Sequence, residues 1–521
     1  MENIKSGITF GIIGGLLTFL FGGWSVAVLG LFMGTGLGLL LGGRFQRDTL
    51  AALAKKALPP ALTAGGVLVA LSLFQNYVMQ PATGKAPRDI GFVLLTNILA
   101  FVLVVLFTTF TASLHSFSDK DEQRAKLFLL AFIVISFPFI DQFTELRWTA
   151  QIIFALIFVI LGLGLNIVVG YAGLLDLGYA AFFAIGAYTT GILSSPVHQI
   201  QLNFWLVIWI AAAIAAIFGL ILGAPTLPLR GDYLAIVTLG FGEIVPVLFK
   251  NLIDVTIKEP LTCWILPLFR LQTTCLTLVS HEDLTLGEKG ISPIGRPSLP
   301  IIGEFESSNP VTWYFLIIAI ILLSMFLINR LRDSRLGRAW MAIREDELAA
   351  SQMGINPVRT KLAAFAMGAT FSGFAGAFYA AYIRGIFPSV FDFSASIIIL
   401  SCVILGGLGN VNGVLVGGLA LMTADRLFLP ALKDFLSAFL TNTILPSINN
   451  PAVQLTVKDQ ANPILYRFLL FGLTLVIMMS LRPEGLLPNA QVRQEMHEAE
   501  EAAVENGDGK KSEMKRQEAV K

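Results

Sequence analysis

Few residues in this chain have the types and spacing that covalent chemistry requires. No GxxxxGK[ST] phosphate loop occurs, and GDGKKS from Gly507 to Ser512 lacks the spacing. HExxH and GxSxG are also missing, the four histidines are scattered, and the cysteines have no zinc-type spacing. The chain is therefore expected to carry no catalytic site, no metal and no cofactor of its own. What remains is a small set of polar groups inside apolar runs, where such side chains are costly and default to a functional reading. Asn166, Asp176 and Glu243 are these groups, read as candidates for a translocation path. Asp176 sits in GYAGLLDLGYAAFF, where Gly170 and Gly173 break one span, so it either caps the next helix or touches a ligand. Glu243, in TLGFGEIVP, either faces a pathway or pairs with a basic group on a neighbouring helix.

The strongest local pattern lies in a polar loop. From Gly337 to Gly354 the chain reads GRAWMAIREDELAASQMG, a run of good helix formers in which Leu336, Trp340 and Ile343 share a face and Arg344 and Glu345 lie elsewhere. A short amphipathic helix is expected. It could be a rigid projection that receives force from a separate motor, or an interfacial helix lying on lipid headgroups. Small residues recur every fourth position at Gly368, Ser372, Gly376 and Ala380, and again at Gly409, Gly413 and Gly417. Such stripes let membrane helices approach closely, either as static packing or as a surface that slides.

The elements that position these residues are set by composition. With 55% hydrophobic and only 14% charged residues, and a mean hydropathy of +0.75, the chain is far from the roughly 25% charged residues of soluble domains. A bilayer core about 30 Å thick asks for about 20 apolar residues per helix, and such runs follow one another along the sequence. The fold class is an all-α polytopic membrane bundle of about 12–14 transmembrane helices with Gly-rich broken segments. The net charge of +1 favours neither nucleic acid nor an acidic partner. Residues 7 to 43 are too long for one upright helix. Gly22, Gly23 and Trp24 suggest a hairpin there, with a single tilted span as the alternative.

Basic residues fix the orientation, because positive loops stay in the cytoplasm. The loop 330–361 carries Arg330, Arg332, Arg335, Arg338, Arg344, Arg359 and Lys361, and reads as cytoplasmic; 251–310, rich in Asp and Glu, reads as outside. Counting spans backward places Arg44, Arg47, Lys55 and Lys56 inside as well. Counting forward puts the tail inside if 394–429 crosses twice, which the run Gly406, Gly407, Gly409, Asn410, Asn412, Gly413 favours. Three domains result: a membrane extension over 1–145, a second block over 146–488, and a charged tail over 489–521 that reads as disordered. Cys402 lies in an apolar run, whereas Cys263 and Cys275 share the outside loop, as either a disulfide or two free thiols.

Six blocks in order resemble the branched-chain amino-acid permease family of ATP-binding-cassette (ABC) importers, in its larger, LivM-type form. They are GLGLNIVVGYAGLLDLGYAAFFAIGAYTTGIL from Gly162, LRGDYLAIVTLGFGEI from Leu229, SRLGRAWMAIREDELAASQMGI from Ser334, KLAAFAMGATFSGFAGAFYA from Lys361, ILGGLGNVNGVLVGG from Ile404 and RPEGLLP from Arg482. Glu347, Ala349, Ala350 and Gly354 look like the coupling motif of that superfamily. The resemblance implies an ATPase-coupling role for Gly337, Arg338, Ala339, Arg344, Glu345 and those four. It also implies partners: a second homologous permease, two cytoplasmic ATPases that use ATP and magnesium, and an extracytoplasmic amino-acid-binding protein. The setting would be a bacterial inner membrane and the cargo a branched-chain or other hydrophobic amino acid, with urea or short amides carried by a sister branch. An ion-coupled secondary transporter is the rival from another class. Two departures stand out, the outside insertion from Asp254 to Ile291 and the extension over 1–145, which could be a packing collar, a partner site, a regulatory element or part of a scaffold or sensor.

Overall fold

The computed structural model describes residues 2–43, 49–79, 88–117, 119–198, 200–226, 232–253, 255–258, 277–300, 303–306, 308–444, 454, 457, 459–481 and 485–487. Cys263, Cys275, the charged tail, Arg44, Arg47 and parts of the second and sixth family-like blocks lie outside the described residues. Twelve described helices are long and apolar enough to cross a membrane, and two shorter apolar helices, Ala180–Ser194 and Phe393–Gly406, accompany them. This is the expected all-α polytopic bundle. Added to it are two short antiparallel ladders in the loop read as outside, β1 (Val255–Lys258) with β2 (Thr277–Glu282) and β3 (Ser298–Leu299) with β4 (Gly303–Glu304).

The chain divides into two compact units, Met1–Gln151 with Ala424–Leu470, and Ile152–Thr423 with Phe471–Lys521. Ala424–Leu470 thus groups with the N-terminal helices, where the sequence reading ran one block from 146 to 488. In the first unit, α1 (Glu2–Phe21) and α2 (Ser25–Gly42) are separate helices. Between them Gly22 and Gly23 take φ of +58° and +67°, a left-handed turn that L side chains resist. The 7–43 stretch is therefore a hairpin. Packing against these are α3 (Leu50–Phe74) and α4 (Ile90–Ser113), with Val26, Met33, Leu68 and Ala100 as one core cluster and Leu37, Leu41, Ala64 and Val104 as another. A Cβ on Gly30 or Gly34 would stand 2.7 or 2.8 Å from a backbone carbonyl of α4, so α2 and α4 touch through backbone. Next comes α5 (Asp119–Thr144), whose Phe128 and Phe143 stand largely open, as acyl-chain solvation allows.

The second unit is built round α13 (Pro357–Ile383). Ahead of it in the chain come α6 (Trp148–Leu165), α7 (Ala180–Ser194), α8 (Phe204–Thr226), α9 (Asp232–Asn251), α10 (Pro310–Arg332), α11 (Arg335–Glu345) and α12 (Glu347–Gln352). Behind it lie α14 (Phe393–Gly406) and α15 (Val411–Thr423), an antiparallel pair whose reversal is turned by Gly407 and Gly409 at φ +114° and +78°. The Gly-rich 394–429 stretch therefore folds back on itself as two helices, the first of them, Phe393–Gly406, shorter than the spans. The chain then runs on through a wide turn, Ala424–Phe428, into α16 (Leu429–Phe439), which belongs to the first unit, and α17 (Arg467–Leu481) is the last.

The stripes of small residues close these contacts. On α13, a Cβ on Gly368 would meet Val168 and the Gly164 carbonyl, one on Gly376 would meet the backbone of α7, and one on Gly373 would meet Ala212 of α8 at 2.8 Å. Ser372, fully buried, sits on the same stripe. On α15, Gly413 and Gly417 lie against Gly406 of α14.

The loops of this unit sort into two ends, as the span count requires. At one end the Ile291 and Ile386 backbones pair, the Gly295 N–H donates to the Ser194 carbonyl, and Trp205 Nε1 donates to the Ser298 carbonyl. At the other end, Leu486 and Leu487 N–H groups donate to the Leu405 and Gly406 carbonyls, and residues 166–178, 334–361 and 407–410 gather.

Candidate functional site

The polar loop after α10 folds into two short helices because each start is capped. Ser334 Oγ accepts from the Gly337 N–H, Asp346 Oδ1 from those of Leu348 and Ala349, and Asn356 Oδ1 from that of Arg359, ahead of Pro357 in the first turn of α13. Such caps satisfy orphan N–H groups and are typically worth about 1 kcal/mol each. The amphipathic pattern is used as expected. Trp340 is fully buried with its Nε1 donating to the Thr360 carbonyl at 2.8 Å, and Ile343 is buried beside it. The apolar face of α11 is thus occupied by α13.

The nine coupling candidates separate into two sets. Gly337 is buried in the corner between α10 and α11, where a Cβ would run into the Leu331 and Arg332 carbonyls. Ala350 is buried, and Glu347 Oε1 accepts from Lys361 Nζ at 2.7 Å, with the lysine side chain only 6% exposed. Arg344 reaches the other way, its Nη1 donating to the Gly170 carbonyl at 2.5 Å. Arg338, Glu345, Ala349 and Gly354 lie exposed, with Ala339 between the two sets, and Arg344, bonded inward at its tip, is itself exposed along part of its length. Arg338 Nη1 bonds the Asp333 carbonyl, and next to this outward set Leu348 and Met353 are 67% and 84% exposed. Lys361 as the partner of Glu347 was not singled out from sequence, since nothing local links the two.

Beneath the loop, α6 ends in a wide turn over Asn166–Tyr171, and the chain stays irregular to Tyr179 before α7 begins. The break at Gly170 and Gly173 lies where the sequence placed it. Asn166 is fully buried and accepts at Oδ1 from the Gly409 N–H at 2.9 Å, so it braces α6 against the α14–α15 turn. A hydrogen bond between membrane helices averages about 0.6 kcal/mol, so this one fixes geometry more than it stabilises the fold.

Asp176 is also buried. Its Oδ1 accepts from the Gly178 N–H at 2.9 Å, a local turn just before α7. The Ala180 N–H, first of α7, is met instead by Ser396 Oγ of α14 at 3.0 Å, and the Leu177 N–H by Thr238 Oγ1 of α9 at 3.1 Å. Of these, only the Ser396 bond falls on a helical N–H; Gly178 and Leu177 lie ahead of α7, so Asp176 shapes the approach to the helix and does not cap it. Asp176, Thr238, Phe182, Leu222, Phe241 and Phe365 line a small, partly open cleft there. At its edge α9 crosses the irregular segment on glycine, since a Cβ on Gly242 would stand 2.9 Å from Gly178 Cα.

Glu243 follows Gly242 but points away from the unit. Together with Tyr233, Ile236, Ile244 and Val247 it forms an exposed stripe along α9, and a Cβ on Gly240 would find nothing within 4 Å. Of the two readings left open, pairing with a basic group on a neighbouring helix finds no such partner among the described residues. The three polar candidates are therefore not one cluster: Asn166 braces, Asp176 shapes a turn and a cleft, and Glu243 faces outward.

A family described as branched-chain amino acid transport system / permease component matches residues 148–478. The family model covers most of the second unit and the Ala424–Leu470 part of the first. The high-affinity branched-chain amino acid transport system permease protein LivM of Escherichia coli (strain K12) is 36% identical over 393 residues, covering 71% of this chain and 76% of that protein. A probable LivM of Methanocaldococcus jannaschii is 23% identical over 376 residues, covering 64% and 92%. The permease protein LivH of Salmonella typhimurium is 31% identical over 161 residues, covering 29% and 50%. No solved structure matches. With a membrane bundle, a capped projection seated on its central helix and a family match over most of the second unit, the chain belongs to the branched-chain amino acid transport permease family and is a multi-pass transport component.

Proposed function

We propose that this chain is the larger permease subunit of an ABC importer that moves branched-chain amino acids into the cytoplasm. It works beside a second homologous permease, two cytoplasmic ATPases and an extracytoplasmic binding protein in a bacterial inner membrane, with its tail and the α11–α12 projection inside. The chain binds no cofactor, and ATP with magnesium is consumed by the ATPases. The observation that carries this reading is the two-sided projection: its inner side is seated on α13 and the α6 break, while Arg338, Glu345, Leu348, Ala349, Met353 and Gly354 stand outward.

On this reading α11 and α12 are a lever. Motor closure moves it, and the helices it is seated on move as bodies over their glycine faces, alternating access to the path. Glu243 lines that path, because a carboxylate on the open side of a spanning helix meets water or a partner and not acyl chains. The test is uptake in proteoliposomes containing all subunits and the binding protein. Labelled leucine, isoleucine or valine should accumulate only with ATP. Uptake that survives ATP removal and collapses with an ion gradient would contradict the reading, and transport of urea or short amides in place of leucine would correct the cargo.

A further inference from the structure

We infer that Arg344 is a positioning residue that carries lever motion into the membrane through the Gly170 carbonyl, and is not a contact to the ATPase. The inference rests on the coupling reading above. Arg344 lies in the last turn of α11 and turns its guanidinium to the break in α6, where Nη1 donates to the Gly170 carbonyl. That carbonyl is available because Asn166–Tyr171 is a wide turn, in which the regular helical ladder is interrupted; such turns are frequent at functional sites. The segment is shaped to take the arginine stem. Gly173 has φ +70°, and a Cβ there would stand 2.8 Å from Arg344 Cγ.

The connection continues beyond Gly170. A Cβ on Gly170 would lie 2.6 Å from the Gly409 nitrogen, and the same N–H donates to Asn166 Oδ1 at 2.9 Å. Asn410 Nδ2 in turn donates to the Leu487 carbonyl at 2.9 Å. Four stretches of sequence are thus joined in series: the lever, the α6 turn, the α14–α15 turn and the segment after α17. The lever's other inward contacts, Trp340 with Thr360 and Glu347 with Lys361, both end on the first turns of α13. α11 packs against the Asn166–Tyr171 turn, and among the described hydrogen bonds of the lever that of Arg344 is the one that ends there, so displacement of α11 acts on the α6 turn and the α14–α15 turn through this bond.

A local role is the competing account. A cation in the last turn of a helix is stabilised by the helix dipole, which would keep Arg344 in place without any transmission. The two differ in what lysine can do. It preserves the charge but lacks the planar fork with several fixed donors.

The experiment uses the complete importer in proteoliposomes and measures leucine uptake per ATP hydrolysed for Arg344→Met, Arg344→Lys, Asn166→Ala and the double variant Arg344→Met with Asn166→Ala. The inference predicts that both ATPases still co-purify with every variant and that ATP turnover persists. Arg344→Met lowers uptake per ATP by roughly tenfold, Arg344→Lys by less, and the double variant is no worse than Arg344→Met alone, since both changes cut one connection. An unchanged ratio in Arg344→Met, full recovery by lysine, or losses that multiply in the double variant would overturn it. Loss of the ATPases from Arg344→Met would also overturn it, by making the residue a docking contact while leaving the coupling reading intact. If the unaltered complex shows no ATP-driven uptake, the coupling reading itself fails, and that outcome is read before any variant.

Discussion

The lever and helix α9 end their side chains in opposite ways. On α11 and α12, each inward group meets a partner within the chain: Trp340 the Thr360 carbonyl, Glu347 the Lys361 ammonium, Arg344 the Gly170 carbonyl. On α9 the outward stripe from Tyr233 to Val247 meets nothing comparable among the described residues, although it includes the carboxylate of Glu243. The lever is completed internally on one side and can pass force. The stripe on α9 is completed by nothing described in this chain, and on the proposed function it is the side assigned to the path.

Substitutions can break or sharpen this contrast. Trp340→Ala should have the largest effect, because deleting a fully buried tryptophan costs about 3–5 kcal/mol. Thermal unfolding of the purified complex should fall and uptake should be abolished; unaltered unfolding would mean that the lever is not seated as described. Next, Glu347→Lys opposes two ammonium groups and strands Lys361, at a cost of about 3 kcal/mol. It should uncouple ATP turnover from uptake, whereas Glu347→Lys with Lys361→Glu should recover part of the coupling.

Gly354→Leu should cost about 1–2 kcal/mol, since φ is +85° there but no atom lies within 4 Å of a new Cβ. The strain is small, so a larger loss of ATPase co-purification than of stability would place Gly354 in the docking surface. The smallest effect on stability belongs to Glu243→Gln, which removes charge from a side chain without a described partner. Unfolding should be unchanged while the rate of uptake drops several-fold; equal uptake would remove Glu243 from the path.

The spans were readable because each ends at charge, proline or glycine, and the hairpin at Gly22–Gly23 and the break at Gly170–Gly173 follow from glycine's conformational freedom. The lever was readable for the same local reasons, a cap residue before each helix and one apolar face. What sequence did not reveal is where the lever's side chains end. Arg344 and Gly170 are 174 positions apart and Asn166 and Gly409 are 243 apart, separations over which no periodicity or cap signal operates. Asp176 shows the same limit. The sequence offered it as a cap or a ligand contact, yet its carboxylate closes a turn ahead of α7 and the Ala180 N–H is met by Ser396, 216 positions away. The helix past Thr423 also runs further than the 394–429 stretch read from sequence: it passes through the wide turn Ala424–Phe428 and continues as α16 to Phe439.

The most direct measurement places a photo-crosslinking residue at Met353, the most exposed apolar group of the lever, in the assembled importer in native membranes. The account predicts adducts with the ATPase subunits, together with protection of that position from reagents that cannot cross the membrane. Labelling from outside the cell, or adducts with lipid alone, would contradict it.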